Sequence, residues 1–461
     1  MPRVAVVGGG ITGLAAAHFL RTLAGDAVSV TVLEASDRPG GVIVTDMTGG
    51  VPLEGGPDSL LVRKPAGVGL ARELGLGDAL MPTHPEARGA DIFHGGELYP
   101  IPAGILAGVP SDPKPLLSSG LLSEKGKRDL LRDRIKRRPH WPGADVSLGD
   151  LLKYHLGTEM VDRIAAPLLS GIYAGDIWQL SARATYPQVL EWEARHRSLM
   201  AGRAAIPPPP PGPRPPIFMT PRGGLQTLVG ALARELGASV RLETPVTAIE
   251  AQDDGYRLST PSGPERADAV VVAVPAPEAA RLVEGLEPAA GALLRTIPYA
   301  RLAVVGLLFE RDAVVLPAHK TGALVPKGED LQLTAVTYVS QKWPYGESPV
   351  VPVRVFYGRS GDDRALDMPD AELVALAVSE LGQLCTLNGP PRYARVFRHA
   401  PGMPQYTVGH LERLSALEKC VSSWPGLRLA GAAYRGVGIP DCVKDGEVQA
   451  RAILEALSIT V

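Results

Sequence analysis

The chain has 461 residues, 45% of them apolar and 21% charged, with a formal net charge of −2. That length exceeds what one hydrophobic core usually holds, so two or three domains are expected. The near-neutral charge argues against nucleic acid as a partner.

Residues 3–7 form an apolar run that predicts a first strand and leaves no room for a signal peptide. Gly8, Gly10 and Gly13 follow in GxGxxG spacing, then a helical stretch over 14–23, a second strand over 28–33, and Glu34. The first glycine permits a tight strand-to-helix turn, the second lets the backbone approach a pyrophosphate, and the third allows close helix–strand packing. A helix N-terminus there offers N–H groups and positive potential to phosphates, while Glu34 can accept from ribose hydroxyls. A dinucleotide-binding fold is therefore expected.

Gly40-Gly41, Gly49-Gly50 and Gly55-Gly56 bring bare backbone against a second length of an extended cofactor. A helix over 64–76 and a hairpin over 92–101, turning at Gly95-Gly96, come next. Residues 102–123 are apolar and broken by Pro and Gly. Residues 124–138 then hold eight basic residues (125, 127, 128, 132, 134, 136, 137 and 138) against Glu124, Asp129 and Asp133. That combination fits docking on an anionic bilayer surface or a solvated basic helix equally well. Helical spacing resumes over 147–169, and residues 206–216 read as an extended polyproline connector. Residues 219–236 open with a Gly-Gly turn into an amphipathic helix. Strands follow at 239–243 and 246–251, then a hairpin at 256–264 and a buried strand at 267–274. Further strands at 300–309, 331–339 and 351–357 and a helix at 371–384 suggest a mixed sheet. A strand at 426–431, a glycine-broken loop and a helix from 441 return the chain to the first domain. Cys385, Cys420 and Cys442 are far apart and odd in number, which predicts neither disulfides nor a metal motif and fits a reducing compartment. No run of about 18 apolar residues predicts a membrane span.

Four stretches carry a specific likeness: VVGGGITGLAAA with VLEA and RPGG; EGGPDSL; SGIYAGD with LSARATYP; and HAPGMPQYTVGHLERL followed by GLRLAGAAYRGVGIPDCVKDG. Through them the chain resembles the oxygen-dependent protoporphyrinogen oxidases, FAD enzymes of the amine-oxidase superfamily. The resemblance implies an α/β fold with a discontinuous Rossmann-like FAD-binding domain (1–75, 218–280 and 425–461). It also implies a mixed-sheet substrate domain (76–102 and 281–424) and an inserted helical, membrane-associating domain (103–205).

Carried onto this sequence, it assigns non-covalent FAD to Gly8, Gly9, Gly10, Ile11, Thr12 and Gly13 at the pyrophosphate. Glu34 and Ala35 would meet the ribose, and Gly40, Gly41 and Val42 the inner dinucleotide. Gly56, Pro57, Asp58 and Ser59 would run along the flavin, and Val246 would meet the adenine end through its backbone. Ala432, Val437, Gly438 and Ile439 would face the isoalloxazine, with a helix N-terminus aimed at its pyrimidine edge. Gly171, Gly322, Leu324 and Phe356 would line a substrate site between domains. The arginine that anchors a propionate ahead of the hairpin in plant and animal members is replaced here by Ala90, and Arg88 is the substitute.

The implied reaction is the six-electron oxidation of protoporphyrinogen IX to protoporphyrin IX in heme biosynthesis, with dioxygen reduced to hydrogen peroxide. The flavin performs the redox step, so no catalytic side chain and no metal are expected; His399 and His410 read as structural. The implied location is cytoplasmic, with a peripheral contact on the inner face of the cell membrane and a homodimer left open. Oxidation of coproporphyrinogen III to coproporphyrin III is the nearest alternative. An amine oxidase or carotenoid-type desaturase is disfavoured by the scarcity of aromatics near the C-terminal loop, where Tyr434 stands alone. A non-catalytic prenyl-binding relative would lack the pyrophosphate glycines.

Overall fold

The computed structural model describes residues 1–135, 141, 143–207 and 215–459. Positions 208–214 of the expected polyproline connector, and Lys136, Arg137 and Arg138 of the basic run, lie outside them. The chain divides into two compact units. One comprises Met1–Pro82, Pro216–Pro298 and Glu412–Val461, the other Thr83–Pro215 and Tyr299–Leu411. The helical segment 103–205, expected to stand apart, is grouped with the second unit.

The first unit is built on a five-stranded parallel sheet. Its centre is Arg3–Val7, flanked by Ser29–Leu33 and Ala269–Val272, with Val240–Arg241 and Leu427–Leu429 outside them. The uninterrupted apolar character of these strands follows from burial on both faces: Val4, Val6, Val32, Val270, Val271 and Val272 are fully or almost fully buried. The helix Ile11–Ala24 covers the sheet with Leu14, Ala15, Ala16, Ala17 and Leu20, all completely buried. Its small residues admit the C-terminal helix Ile439–Ala456, and a Cβ at Gly446 would stand 2.7 Å from the Thr12 carbonyl oxygen. This helix begins two residues before the expected start at 441. Its first turn carries Pro440, which suits a position with no N–H to satisfy.

The second unit contains a seven-stranded mixed sheet. In spatial order it runs Tyr393–Pro404, Tyr299–Glu310, Val350–Tyr357, Ala335–Tyr338, Gly322–Leu324, Ala90–His94 and Glu97–Pro100. All neighbours are antiparallel except Gly322–Leu324 and Ala90–His94, which run parallel. Strand alternation sorts its side chains onto two faces. Phe93, Ala323, Val336, Tyr338, Val353, Val355, Tyr357, Val305 and Leu307 form a core with Leu373, Ala377 and Leu381 of the helix Asp370–Leu381. The opposite face carries Gly322, Leu324, Ala335, Thr337, Arg354 and Phe356. Buried Glu380 pins the core side. Its carboxylate accepts from the N–H groups of Gln332 (2.7 Å) and Leu333 (3.0 Å) and from the Tyr357 hydroxyl (2.9 Å).

The helical part of this unit is more broken than its sequence spacing suggests. Leu148–Leu156 ends at Gly157, and the continuation passes through a π turn at Val161–Ala165 into Ala166–Tyr173. Among the described residues of the basic run, Glu124–Leu131 forms a helix, followed by a 3₁₀ turn at Arg132–Ile135.

Candidate functional site

The glycine loop of the first unit is fixed by backbone geometry. Gly8 has φ +105°, and a Cβ there would come within 2.7 Å of the Ala273 carbonyl oxygen. A Cβ at Gly13 would overlap the Gly8 carbonyl oxygen, so this glycine sets the helix–strand distance. Gly10 differs from both. It caps the helix Ile11–Ala24 with φ −69° and ψ 174°, a conformation open to any residue, and a Cβ there meets no protein atom within 4 Å. Neither backbone nor packing demands glycine at this position. The position therefore leaves the helix N-terminus open, which is the space a pyrophosphate would need there.

Around this opening the predicted residues assemble. The Gly40 N–H donates to the Gly9 carbonyl at 2.8 Å, and Gly41, with φ +58°, would place a Cβ 3.5 Å from the Gly10 Cα. A Cβ at Gly56 would overlap the Val42 carbonyl oxygen, which brings Val42 and the Pro57–Ser59 stretch against the same collar. Glu34 sits at the end of its strand with one carboxylate oxygen accepting the Gly9 N–H at 2.6 Å. The other oxygen accepts the Ser36 N–H and hydroxyl at 2.8 and 2.6 Å. A carboxylate oxygen has a second acceptor site, so this clamp leaves Glu34 able to take ribose hydroxyls. Ala35 stands beside it. Val246 is buried, and its carbonyl accepts from the Arg281 guanidinium at 3.3 Å.

One positioning group went unread in the sequence. Buried Asp445, on the C-terminal helix, accepts the Gly431 N–H at 2.7 Å and the Gln449 amide at 3.2 Å, with Arg435 at 3.4 Å. Burial pushes its carboxyl pKa up against the lowering effect of these bonds. The aspartate thereby holds the entrance of the loop that leads through Ala432 to Val437, Gly438 and Ile439. A carboxylate six residues into a helix resembles any surface acid, so no sequence signal marked it.

In the second unit, strand register brings three of the predicted substrate residues together. Leu324 faces Ala335, and Ala335 faces Phe356, giving a row across three strands, about 10 Å wide. Gly322 lies two residues from Leu324 in the same strand, opposite Thr337. A Cβ at Gly322 would overlap the Val336 carbonyl oxygen, so this glycine serves the close pairing of the strands. Gly171 lies on the helix Ala166–Tyr173, which packs beside the strand Gly322–Leu324. It is exposed, and a Cβ there meets no atom within 4 Å. Arg88 lies in the turn before Ala90–His94, where its N–H donates to the His319 carbonyl at 2.7 Å.

Two buried guanidinium groups in and just after the strand Val350–Tyr357 were not revealed by the sequence motifs, and register places the first, Arg354, on this face. Arg354 is 2% exposed and stacks over the Phe356 ring at 4.8 Å. Arg359 lies just beyond the end of Val350–Tyr357 and is also buried. Both are isolated arginines in β-rich sequence, without a local pattern to distinguish them. His410 stacks on Tyr406 with ring centroids 4.1 Å apart. No cluster of three metal-binding side chains occurs among the described residues.

These features have relatives. The flavin-containing amine oxidoreductase family matches residues 11–454. The chain belongs to this family. Its cofactor is FAD, and the open glycine collar fits that group. Among family members, the Bacillus subtilis coproporphyrinogen III oxidase is 34% identical over 99% of this chain and 98% of its own length. The bovine protoporphyrinogen oxidase is 31% identical, with 98% of each chain covered. A solved structure from Exiguobacterium sp. 255-15 superposes with a TM-score of 0.89 at 35% identity over 99% of both chains. Within the family, the chain is a flavin-dependent porphyrinogen oxidase of heme biosynthesis.

Proposed function

We propose that the porphyrinogen is coproporphyrinogen III, oxidised to coproporphyrin III. The observation that carries this reading is the end-to-end match to bacterial relatives bearing that activity in their names. It reverses the order expected from the motifs, which put protoporphyrinogen IX first. The bovine relative keeps protoporphyrinogen as the second reading.

The residues divide the work. Bound FAD would supply the redox chemistry, as acceptor of the substrate's hydride and donor of electrons to dioxygen. Gly10 and the helix N-terminus would hold its pyrophosphate, Gly13 sets the helix–strand distance behind them, and Asp445 fixes the loop carrying Ala432 and Ile439. Leu324, Ala335 and Phe356 offer the apolar macrocycle a surface that asks for no hydrogen bond. Gly171 leaves space beside it. The chemistry needs no protein nucleophile, in keeping with a catalytic role limited to binding, orientation and exclusion of water.

Flavin attachment should be non-covalent. Cys442 is buried, and burial pushes its thiol pKa up to about 12, which withholds the thiolate that a covalent bond requires. Denaturation should release all the yellow colour into the supernatant; flavin kept on the precipitated chain would refute this. Substrate choice is tested by steady-state oxidation of the two porphyrinogens side by side. A kcat/KM at least tenfold higher for coproporphyrinogen III is expected, and the opposite preference overturns the proposal.

A further inference from the structure

We propose that a hollow beside the basic segment of the second unit binds the phosphate of an anionic phospholipid head group, with Ile135 and Leu131 as the apolar contact to the bilayer next to it.

The hollow has a volume of about 200 Å³ and is lined by Asp129, Arg132, Lys153, Tyr154, Gly157 and Thr158. One wall is the end of the helix Glu124–Leu131 with the 3₁₀ turn Arg132–Ile135. The other is the end of the helix Leu148–Leu156, closed by Gly157. Lys153 and Tyr154 precede Gly157 by four and three residues, so all three share one side of that helix end. Gly157 has φ +84°, and a Cβ there would come within 2.6 Å of the Asp129 Cβ, so glycine lets the two walls meet.

The donors lining this space are unspent. Among the described residues, neither the Lys153 ammonium nor the Thr158 hydroxyl has a hydrogen-bond partner, and the Lys153 Nζ lies 5.6 Å above the Trp178 ring. Asp162 attracts this lysine only from farther away. Arg132 donates through Nη1 to Asp129 at 2.7 Å, and its side chain is 66% exposed, which leaves the rest of the fork in solvent. The nearby acids are engaged: Asp129 by Arg132, and Glu159 by the Ser123 N–H and hydroxyl (2.8 and 2.6 Å) and by Arg163 (3.2 Å). A phosphate could therefore take an ammonium, a hydroxyl and the open side of a guanidinium without breaking a bond already made.

The 3₁₀ turn favours a lipid as the source of that phosphate. Residues three apart eclipse in such a turn, so Ile135 stands over Arg132 on one side of it. Asp133 fixes which side faces out, because it is fully buried and accepts from the Ser198 hydroxyl and the Leu199 and Met200 N–H groups. Ile135 is thereby left 74% exposed, with Leu131 at 38%. A soluble anion gains nothing from an exposed isoleucine beside its site, whereas a head group brings acyl chains that bury it. Trp141 packs edge-on against Tyr154 with ring centroids 5.6 Å apart, an aromatic pair of the kind that suits a membrane–water boundary.

The test uses the full-length FAD-loaded enzyme and phosphatidylcholine vesicles with or without phosphatidylglycerol, read by flotation at low salt. Lys153→Gln, inside the hollow, is compared with Lys125→Gln, the same charge change outside it. A diffuse attraction would make the two losses equal, about fivefold each. Seating in the hollow should make Lys153→Gln lose tenfold or more. Thr158→Gln, which fills the space without changing charge, should weaken binding as well, and so should Ile135→Ser. All four variants should keep the thermal midpoint, the FAD content and the rate of porphyrinogen oxidation measured without vesicles. Equal losses for the two lysine variants, or full binding by Thr158→Gln, overturn the proposal. A loss that comes only with a lowered thermal midpoint overturns it too. So does a wild-type enzyme that ignores phosphatidylglycerol vesicles; inorganic phosphate binding in a calorimetric titration would then make the occupant a soluble anion.

Discussion

Single glycines in this chain look alike in the sequence but answer to different constraints, and that difference is measurable. Gly13 is required by the protein itself, because a Cβ would overlap the Gly8 carbonyl oxygen; Gly10 is not, since a Cβ there finds open space. Gly13→Ala should therefore lower stability even in cofactor-free protein, by roughly 1–3 kcal/mol for an overpacked contact. Gly10→Val should leave the cofactor-free stability within about 0.5 kcal/mol of wild type and abolish FAD loading, read as the ratio of flavin to protein absorbance. Stoichiometric FAD on Gly10→Val would place the phosphate loop elsewhere. Gly171 permits a similarly clean substitution. Its exposed position leaves room for a larger side chain without disturbing the helix. Gly171→Leu should raise the porphyrinogen KM or stop turnover while the flavin spectrum stays as in wild type. Survival of both affinity and turnover would remove Gly171 from the site.

At the scale of elements, the helical part of the second unit is held by a buried charge cluster. His155, fully buried on the helix Leu148–Leu156, lies 2.6 Å from Asp133 and 3.0 Å from Glu193. Asp133 also accepts from the Ser198 hydroxyl (2.6 Å) and the Leu199 and Met200 N–H groups (3.1 and 2.8 Å). Burial alone would lower the histidine pKa, but its two carboxylate partners outweigh that and raise it above 6.5. For Asp133, burial raises the pKa, but the bonds from His155, Ser198 and Met200 bring it below 3.8. The raised histidine adds stability that is full below pH 6.5 and lost as pH climbs through its folded value. The lowered aspartate adds stability above pH 3.8 that is lost as pH falls through its own. His155→Gln should cost about 3–5 kcal/mol near pH 6, and should flatten the alkaline decline of the thermal midpoint. An unchanged alkaline slope in the variant would assign that decline to other groups.

This cluster also shows where sequence reading stops. The strands of the parallel sheet were legible because burial on both faces writes unbroken Val and Ala runs, and the cofactor collar because turns and close approaches demand glycine. Asp133, His155 and Glu193 span 61 positions and carry no spacing rule. The same holds for Arg359, which reaches the Val325 carbonyl only after the sheet has formed. Groups brought together by tertiary packing leave no periodic trace, whereas those fixed by local backbone geometry do.

For the whole molecule, the open question at the surface is the basic segment of the second unit. No helix among the described residues is long and apolar enough to cross a membrane. On the described part, Lys127 pairs with Glu124 at 2.9 Å and Arg132 with Asp129 at 2.7 Å, while Asp133 is buried with His155. Two of the three acids thus neutralise basic neighbours and the third faces inward, which leaves Lys125, Arg128 and Arg134 beside the exposed apolar side chains of Leu131 and Ile135 (38% and 74% exposed). Apolar and cationic groups on one short stretch are the pairing that binds an anionic surface, where each basic residue contributes about 1 kcal/mol. Neutralising Lys136, Arg137 and Arg138 together should therefore weaken binding to phosphatidylserine vesicles by roughly 3 kcal/mol at low salt, about 150-fold. Ile135→Asp should weaken it further through the lost apolar contact and the added negative charge. Raising salt shortens the range of the attraction and should reduce the difference between wild type and the triple variant. Co-sedimentation with vesicles at two ionic strengths reads all of these effects. A wild-type protein that stays in the supernatant at low salt would show that the segment is a solvated face and that the exposed Ile135 serves no bilayer.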